Sequence, residues 1–171
     1  MKRPPLPVVL VAVLVLALGE TGGAVMSQLK EPTQRWAAAR IAANARAHGF
    51  SGSAEYDDAV RDRAIYTAEA GLSFFHLHAE GLGLILFFAS TLVASAVPWR
   101  RARGALYLLL TLGGLFPLGY LAYGVAVLDV GRDAGIELAE GRILTPLGSA
   151  MIVGLIGLAL ALTVSRRSRR A

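Results

Sequence analysis

Phe75-His76-Leu77-His78-Ala79-Glu80-Gly81 is the stretch with the most chemistry in it. It lies within a long apolar run, where an ionisable side chain is costly to hold and marks a functional position by default. His76 and Glu80 are four residues apart, so on a helix they share a face. An imidazole nitrogen and a carboxylate oxygen at that spacing can bind iron, copper or zinc. His78 is two residues from His76 and points roughly opposite, so one helix cannot easily aim both histidines at one ion. Extending the His76 face gives Tyr66, Glu69, Ser73, His76, Glu80, Gly83 and Phe87, a polar stripe that turns apolar further along.

Other apolar runs carry polar groups at matching heights. At about 1.5 Å per residue, Glu20, Glu80 and Tyr120 each lie about 12 Å inside the outer edge of their runs, and His76 about 6 Å inside. Tyr123 and Asp129 lie further out. Ligands from facing helices at one level are what a site in a bundle core needs. Four readings of the cluster stay open. His76, Glu80 and Glu20 are metal ligands. A histidine is the axial ligand of a b-type haem. A Glu–His–Tyr network carries protons. Or the same groups satisfy one another as a structural plug. Tyr120, Glu69, Ser73, Tyr123 and His78 occupy supporting or proton-relay positions. Taken alone, His78 reads as an interfacial residue and His48 as a solvated one.

His76, Leu77, Glu80 and Gly81 resemble the His-Leu-x-x-Glu-Gly helix motif of nitric oxide reductase large subunits, in the haem-copper oxidase superfamily. The resemblance covers about six residues and implies that His76 and Glu80 bind a non-haem iron. That family's further metal histidines, a consecutive pair on a later helix, have no counterpart here, and its catalytic subunit has about twelve spans. The resemblance therefore does not extend to reductase activity.

The elements that must position these residues are read from composition. Of 171 residues, 55% are hydrophobic and 17% charged, against about 25% charged in soluble domains. Mean hydropathy is +0.55. The apolar residues fall into four blocks, about 6–28, 72–97, 104–128 and 143–164. Each is near or above the roughly 20 residues that cross a hydrocarbon core. The expected fold is all-α: a polytopic membrane protein, a four-transmembrane-helix bundle in one domain, with a helical extracytoplasmic loop over 29–71. With no cysteine, disulfides, iron–sulfur clusters and thiolate zinc sites are excluded.

Charge sets the expected orientation. Lys2, Arg3, Arg100, Arg101, Arg103, Arg166, Arg167, Arg169 and Arg170 flank one side, with no acidic residue among them. The opposite side holds the long loop 29–71 and the loop 129–142, which together carry eight basic and ten acidic residues. The positive-inside rule places both termini in the cytoplasm, and the Ala, Arg and Gly bias suggests a bacterial inner membrane. Lys2-Arg3, Leu6–Leu18 and Gly22-Gly23-Ala24 also fit a cleaved signal peptide, in which case Glu20 is lost.

In the 29–71 loop, Pro32 starts one helix, which continues through Trp36–Ala47 to Gly49 as its C-terminal glycine. Ser51 or Ser53 caps a second, which runs on into the second span. This loop lies on the membrane surface or forms a lid or docking surface. Ala150, Gly154, Gly157 and Ala161, like Gly113, Gly114, Gly119 and Gly124, read as packing faces, and Pro117 as a kink. No Ser-His-Asp, P-loop or GxGxxG pattern is present, nor a nucleic-acid-binding motif. The expected function is metal or haem binding tied to respiratory electron transfer or metal handling. The alternatives are a non-catalytic subunit of a membrane complex and a proton or small-solute carrier. Expected partners are membrane lipid and either other membrane subunits or further copies of the chain.

Overall fold

The computed structural model describes residues 3–168, with side chains through Ser165; Lys2, Arg169 and Arg170 lie outside the described residues. Every regular element in this range is helical. They are α1 (Leu6–Gln28), α2 (Lys30–Ala43), α3 (Ala54–Ala96), α4 (Arg100–Gly114), α5 (Leu118–Val130), α6 (Arg132–Ala139), a π-helical turn (Glu140–Leu144) and α7 (Thr145–Ser168). Among the described residues, four stretches are long and apolar enough to cross a membrane: Leu6–Gln28, Ala54–Ala96, Arg100–Val130 and Arg132–Ser165. Each overlaps one of the four apolar blocks.

The second block and the helix before it form one rod. α3 has 43 residues, about 65 Å at 1.5 Å per residue, roughly twice a hydrocarbon thickness. Its start is held by Asp57, whose carboxylate accepts from Ser51 N at 2.8 Å and Gly52 N at 3.0 Å. Ser53 occupies the cap position without a side-chain cap bond, so the expected serine cap is replaced by an aspartate reaching back. α2 also differs from expectation. It begins at Lys30 and ends at Ala43, not Ala47. Asn44 stops it by turning its side-chain amide onto the Arg40 carbonyl at 3.0 Å, a local bond that competes with further helix. Gly49 (φ +68°) closes the following turn instead.

The third block breaks where Pro117 predicts. Leu118, Gly119 and Tyr120 donate to the carbonyls three residues back across Leu115–Pro117, so α4 and α5 meet at a tight turn. The segment 129–142 is not a loop. Gly131 (φ +90°) reverses the chain, and α6 folds back along α5. A Cβ at Gly135 would fall 2.5 Å from Val127 N, so only glycine permits that approach. The π-helical turn then joins α6 to α7.

α1 lies along α3, α3 against α4 and α5, and α4 against α7. Two buried clusters mark the two ends of the bundle. Val8, Leu86, Val93, Leu106, Leu110 and Leu158 pack at the end with the α3–α4 turn. Ala37, Ile41, Ala64, Val127 and Leu128 pack at the end with α2. Between them Val15, Phe75 and Ala79 form a third cluster, at the level of the polar residues.

Candidate functional site: a His–Glu pair on the α1–α3 seam

Gly19, Gly22 and Gly23 turn a side-chain-free strip of α1 toward α3. A Cβ at Gly19 would lie 2.7 Å from Ala79 Cβ, one at Gly22 2.9 Å from the Phe75 ring, and one at Gly23 2.8 Å from His76 Cε1. The close approach brings His76 Nδ1 to 2.9 Å from the Gly19 carbonyl oxygen. A carbonyl only accepts, so Nδ1 carries the hydrogen of this bond and Nε2 is the nitrogen left for another partner. Glu80 Oε1 lies 3.4 Å from the same Nδ1. Among the described residues no buried side-chain nitrogen or oxygen lacks a hydrogen-bond partner. Nε2 has none, so it opens to the surface of the helix pair. The His76 and Glu80 side chains are 24% and 40% exposed.

Glu20 flanks the same seam. Gly23 meets His76 and Gly83 meets Leu16. Leu16, Glu20 and Gly23 share one edge of α1 by their spacing of four and three, as His76, Glu80 and Gly83 share one edge of α3. The two carboxylates therefore border one side of the seam. Glu20 is exposed, and no group of three His, Asp or Glu converges among the described residues. The structure thus brings His76 and Glu80 together and leaves Glu20 beside them without contact.

The outward extension of the stripe runs beneath the α1–α2 junction. Ser73 Oγ donates to Met26 Sδ at 3.3 Å, and Glu69 Oε1 accepts from Gln34 Nε2 at 2.7 Å. Met26, Lys30, Thr33, Glu69 and Ser73 border a cavity of about 200 Å³. Tyr66 instead stands 73% exposed.

Tyr120 and His78 belong to the opposite flank of α3. The His78 ring lies 4.9 Å from that of Tyr120 and 5.6 Å from that of Phe116, and His78 Nδ1–H donates to Phe74 O at 2.8 Å. Tyr123 stacks edge-on to Tyr120 at 6.4 Å. Tyr120 and Tyr123 therefore adjoin His78, while His76 turns to α1.

Two polar ties between α2, the 44–49 turn and α5 do not follow from the sequence pattern. Arg40 grips Asp129 with both Nε and Nη2, the latter at 2.8 Å. The hydrogen bond it donates to Asp129 holds the Arg40 guanidinium pKa above its usual value, outweighing the opposing effect of desolvation. Arg40 also lies 5.4 Å over the Trp36 ring, a pairing whose only sequence signal is the four-residue spacing. His48 is not solvated: it is 8% exposed, and its Nε2–H donates to Leu128 O at 3.0 Å. It is buried because the 44–49 turn folds onto Gly131, which Ala47 O approaches closely.

Models of known protein families, curated proteins and solved structures were compared with the chain, and none matches it.

Proposed function

We propose that this chain is a multi-pass protein of a bacterial inner membrane, with both termini cytoplasmic. In this reading its His76–Glu80 pair, bordered by Glu20, binds a metal ion or a b-type haem near the extracytoplasmic face. The carrying observation is the Nδ1–H bond from His76 to Gly19 O. Metal-binding histidines characteristically donate their other ring N–H to a carbonyl or carboxylate, which fixes the tautomer and aims the free nitrogen. Nε2 is the donor for iron, copper, zinc or haem iron, and Glu80, whose Oε1 lies 3.4 Å from Nδ1, supplies an oxygen once its side chain turns toward Nε2. Imidazole plus carboxylate suits all three ions. With only these two donors paired, the remaining coordination positions go to water, to Glu20 after a rotamer change, or to a neighbouring chain. The role fits metal handling or electron transfer better than catalysis by this chain alone.

A second reading has the same bond clamp α1 to α3, with the imidazole filling the space over Gly23, in an accessory subunit of a membrane complex. Metal content by mass spectrometry, on detergent-purified protein expressed with ample metal and haem precursor, separates the two. The metal reading expects near-stoichiometric metal in the native chain. It expects loss of that metal in His76→Gln, with the metal-free melting temperature little changed. An optical spectrum then distinguishes haem from a bare ion. A native protein without metal, and a His76→Gln chain that simply melts earlier, would leave only the clamp.

A further inference from the structure

At the α2 end of the bundle, away from His76, a cavity of about 450 Å³ opens between α3, the 44–49 turn and the start of α6. Its walls include Val60, Ala64 and Val130, and its polar side chains are Arg63, Arg132, His48, Asp133 and Tyr56. Arg132 is held in place, with Nη1 donating to Asp133 Oδ1 at 2.6 Å and Nε to Thr67 Oγ1 at 3.3 Å. Arg63 has no carboxylate partner among the described residues. Two guanidinium groups thus face one carboxylate, which leaves the cavity one positive charge in excess. His48 spends Nε2 on Leu128 O, which ties this wall of the cavity to α5.

We propose that this cavity binds a phosphate group, either of a free phosphate compound or of a phospholipid headgroup. Two guanidinium groups from different helices suit an anion with several oxygens: the Arg63 fork is free to grip a pair of them, and Arg132, held by Asp133 and Thr67, adds Nη2. The apolar wall accommodates whatever carbon chain the phosphate carries. The unbonded N–H groups in the first turn of α6, which begins at the cavity, add positive potential. The two arginines and the open groove they border carry the assignment, which is independent of the His76 pair.

The test uses the full chain in detergent, with Arg63→Gln and a charge control, Arg35→Gln. Arg35 lies on α2 outside this cavity and pairs with Glu31. Two probes are applied: thermal stabilisation by inorganic phosphate at constant ionic strength, and retention of phosphatidylglycerol over phosphatidylcholine by native mass spectrometry. Arg63→Gln is expected to weaken binding by about tenfold, the scale of one charge-assisted hydrogen bond, while Arg35→Gln leaves it within about twofold. Phosphate stabilisation lost in Arg63→Gln identifies a soluble ligand. Selective phosphatidylglycerol retention lost in Arg63→Gln, with no phosphate response, identifies a headgroup. Failure of both probes on the native chain, or equal losses in the two variants, overturns the proposal.

Discussion

At the residue scale, the α1–α3 seam depends most on Gly19, which faces a backbone-rooted atom. A methyl at position 19 would meet Ala79 Cβ at 2.7 Å, and neither atom can rotate away, so the helices must part. Overpacking of this kind costs about 1–3 kcal/mol. It would also carry the Gly19 carbonyl away from His76. Gly81 lies on the same stretch of α3 with open space where its Cβ would be, so alanine there gains helix propensity of up to about 1 kcal/mol. Thermal unfolding in detergent should therefore show Gly19→Ala melting well below the native chain and Gly81→Ala at or slightly above it. Equal effects would mean that the seam is not close-packed. The pairing of His76 with Glu80 was legible because four-residue spacing fixes a shared face. Tyr120 was placed by depth alone. Counting residues fixes height along a helix but not the direction a side chain takes around it, and Tyr120 lies at the right height on the His78 side.

At the element scale, the apolar runs were visible in composition, because a stretch long enough to cross a membrane needs no knowledge of its neighbours. The break at Pro117 was equally local. The α5–α6 reversal was not, because α6 mixes charged and apolar residues and its helicity rests on packing against α5 through Gly135. The anchoring of α2 was hidden for a related reason: Arg40 and Asp129 are 89 residues apart, and nothing local pairs them. That tie is what holds α2 across the end of the bundle, together with Ile41, which is fully buried. Asp129→Asn keeps the shape and removes the charge. Hydrogen exchange should then quicken in residues 30–43 while the α1–α3 seam stays protected. Arg40→Gln should do the same, and the double variant should be no worse than the worse single one, since both remove one interaction. Unchanged protection of α2 would assign its docking to the apolar contacts alone.

At the scale of the whole molecule, the two ends of the bundle differ in how charge is handled. Where α3 gives way to α4, Arg100, Arg101 and Arg103 stand without a neighbouring acid in sequence, as do Arg3 and the basic tail. At the other end charges of both signs are interleaved, and several are paired: Arg40 with Asp129, Arg61 with Asp58, Arg132 with Asp133. Arginines and lysines beside apolar stretches are retained on the cytoplasmic side of a membrane, and acidic residues contribute little to that bias. If all four apolar stretches cross, the chain returns to the side it started from, so one measurement orients every site. The chain has no cysteine, which makes single-cysteine labelling clean. Ser53→Cys, before α3, should react with a membrane-impermeant maleimide in intact cells. Pro98→Cys, in the α3–α4 turn, should react only after the membrane is opened. The reverse pattern would put the arginine cavity and the His76 end of the seam toward the cytoplasm, where the metal and phosphate available to them are different. Labelling of both positions in intact cells would contradict the four-span arrangement itself, because these positions bound the single rod of α3 on opposite ends.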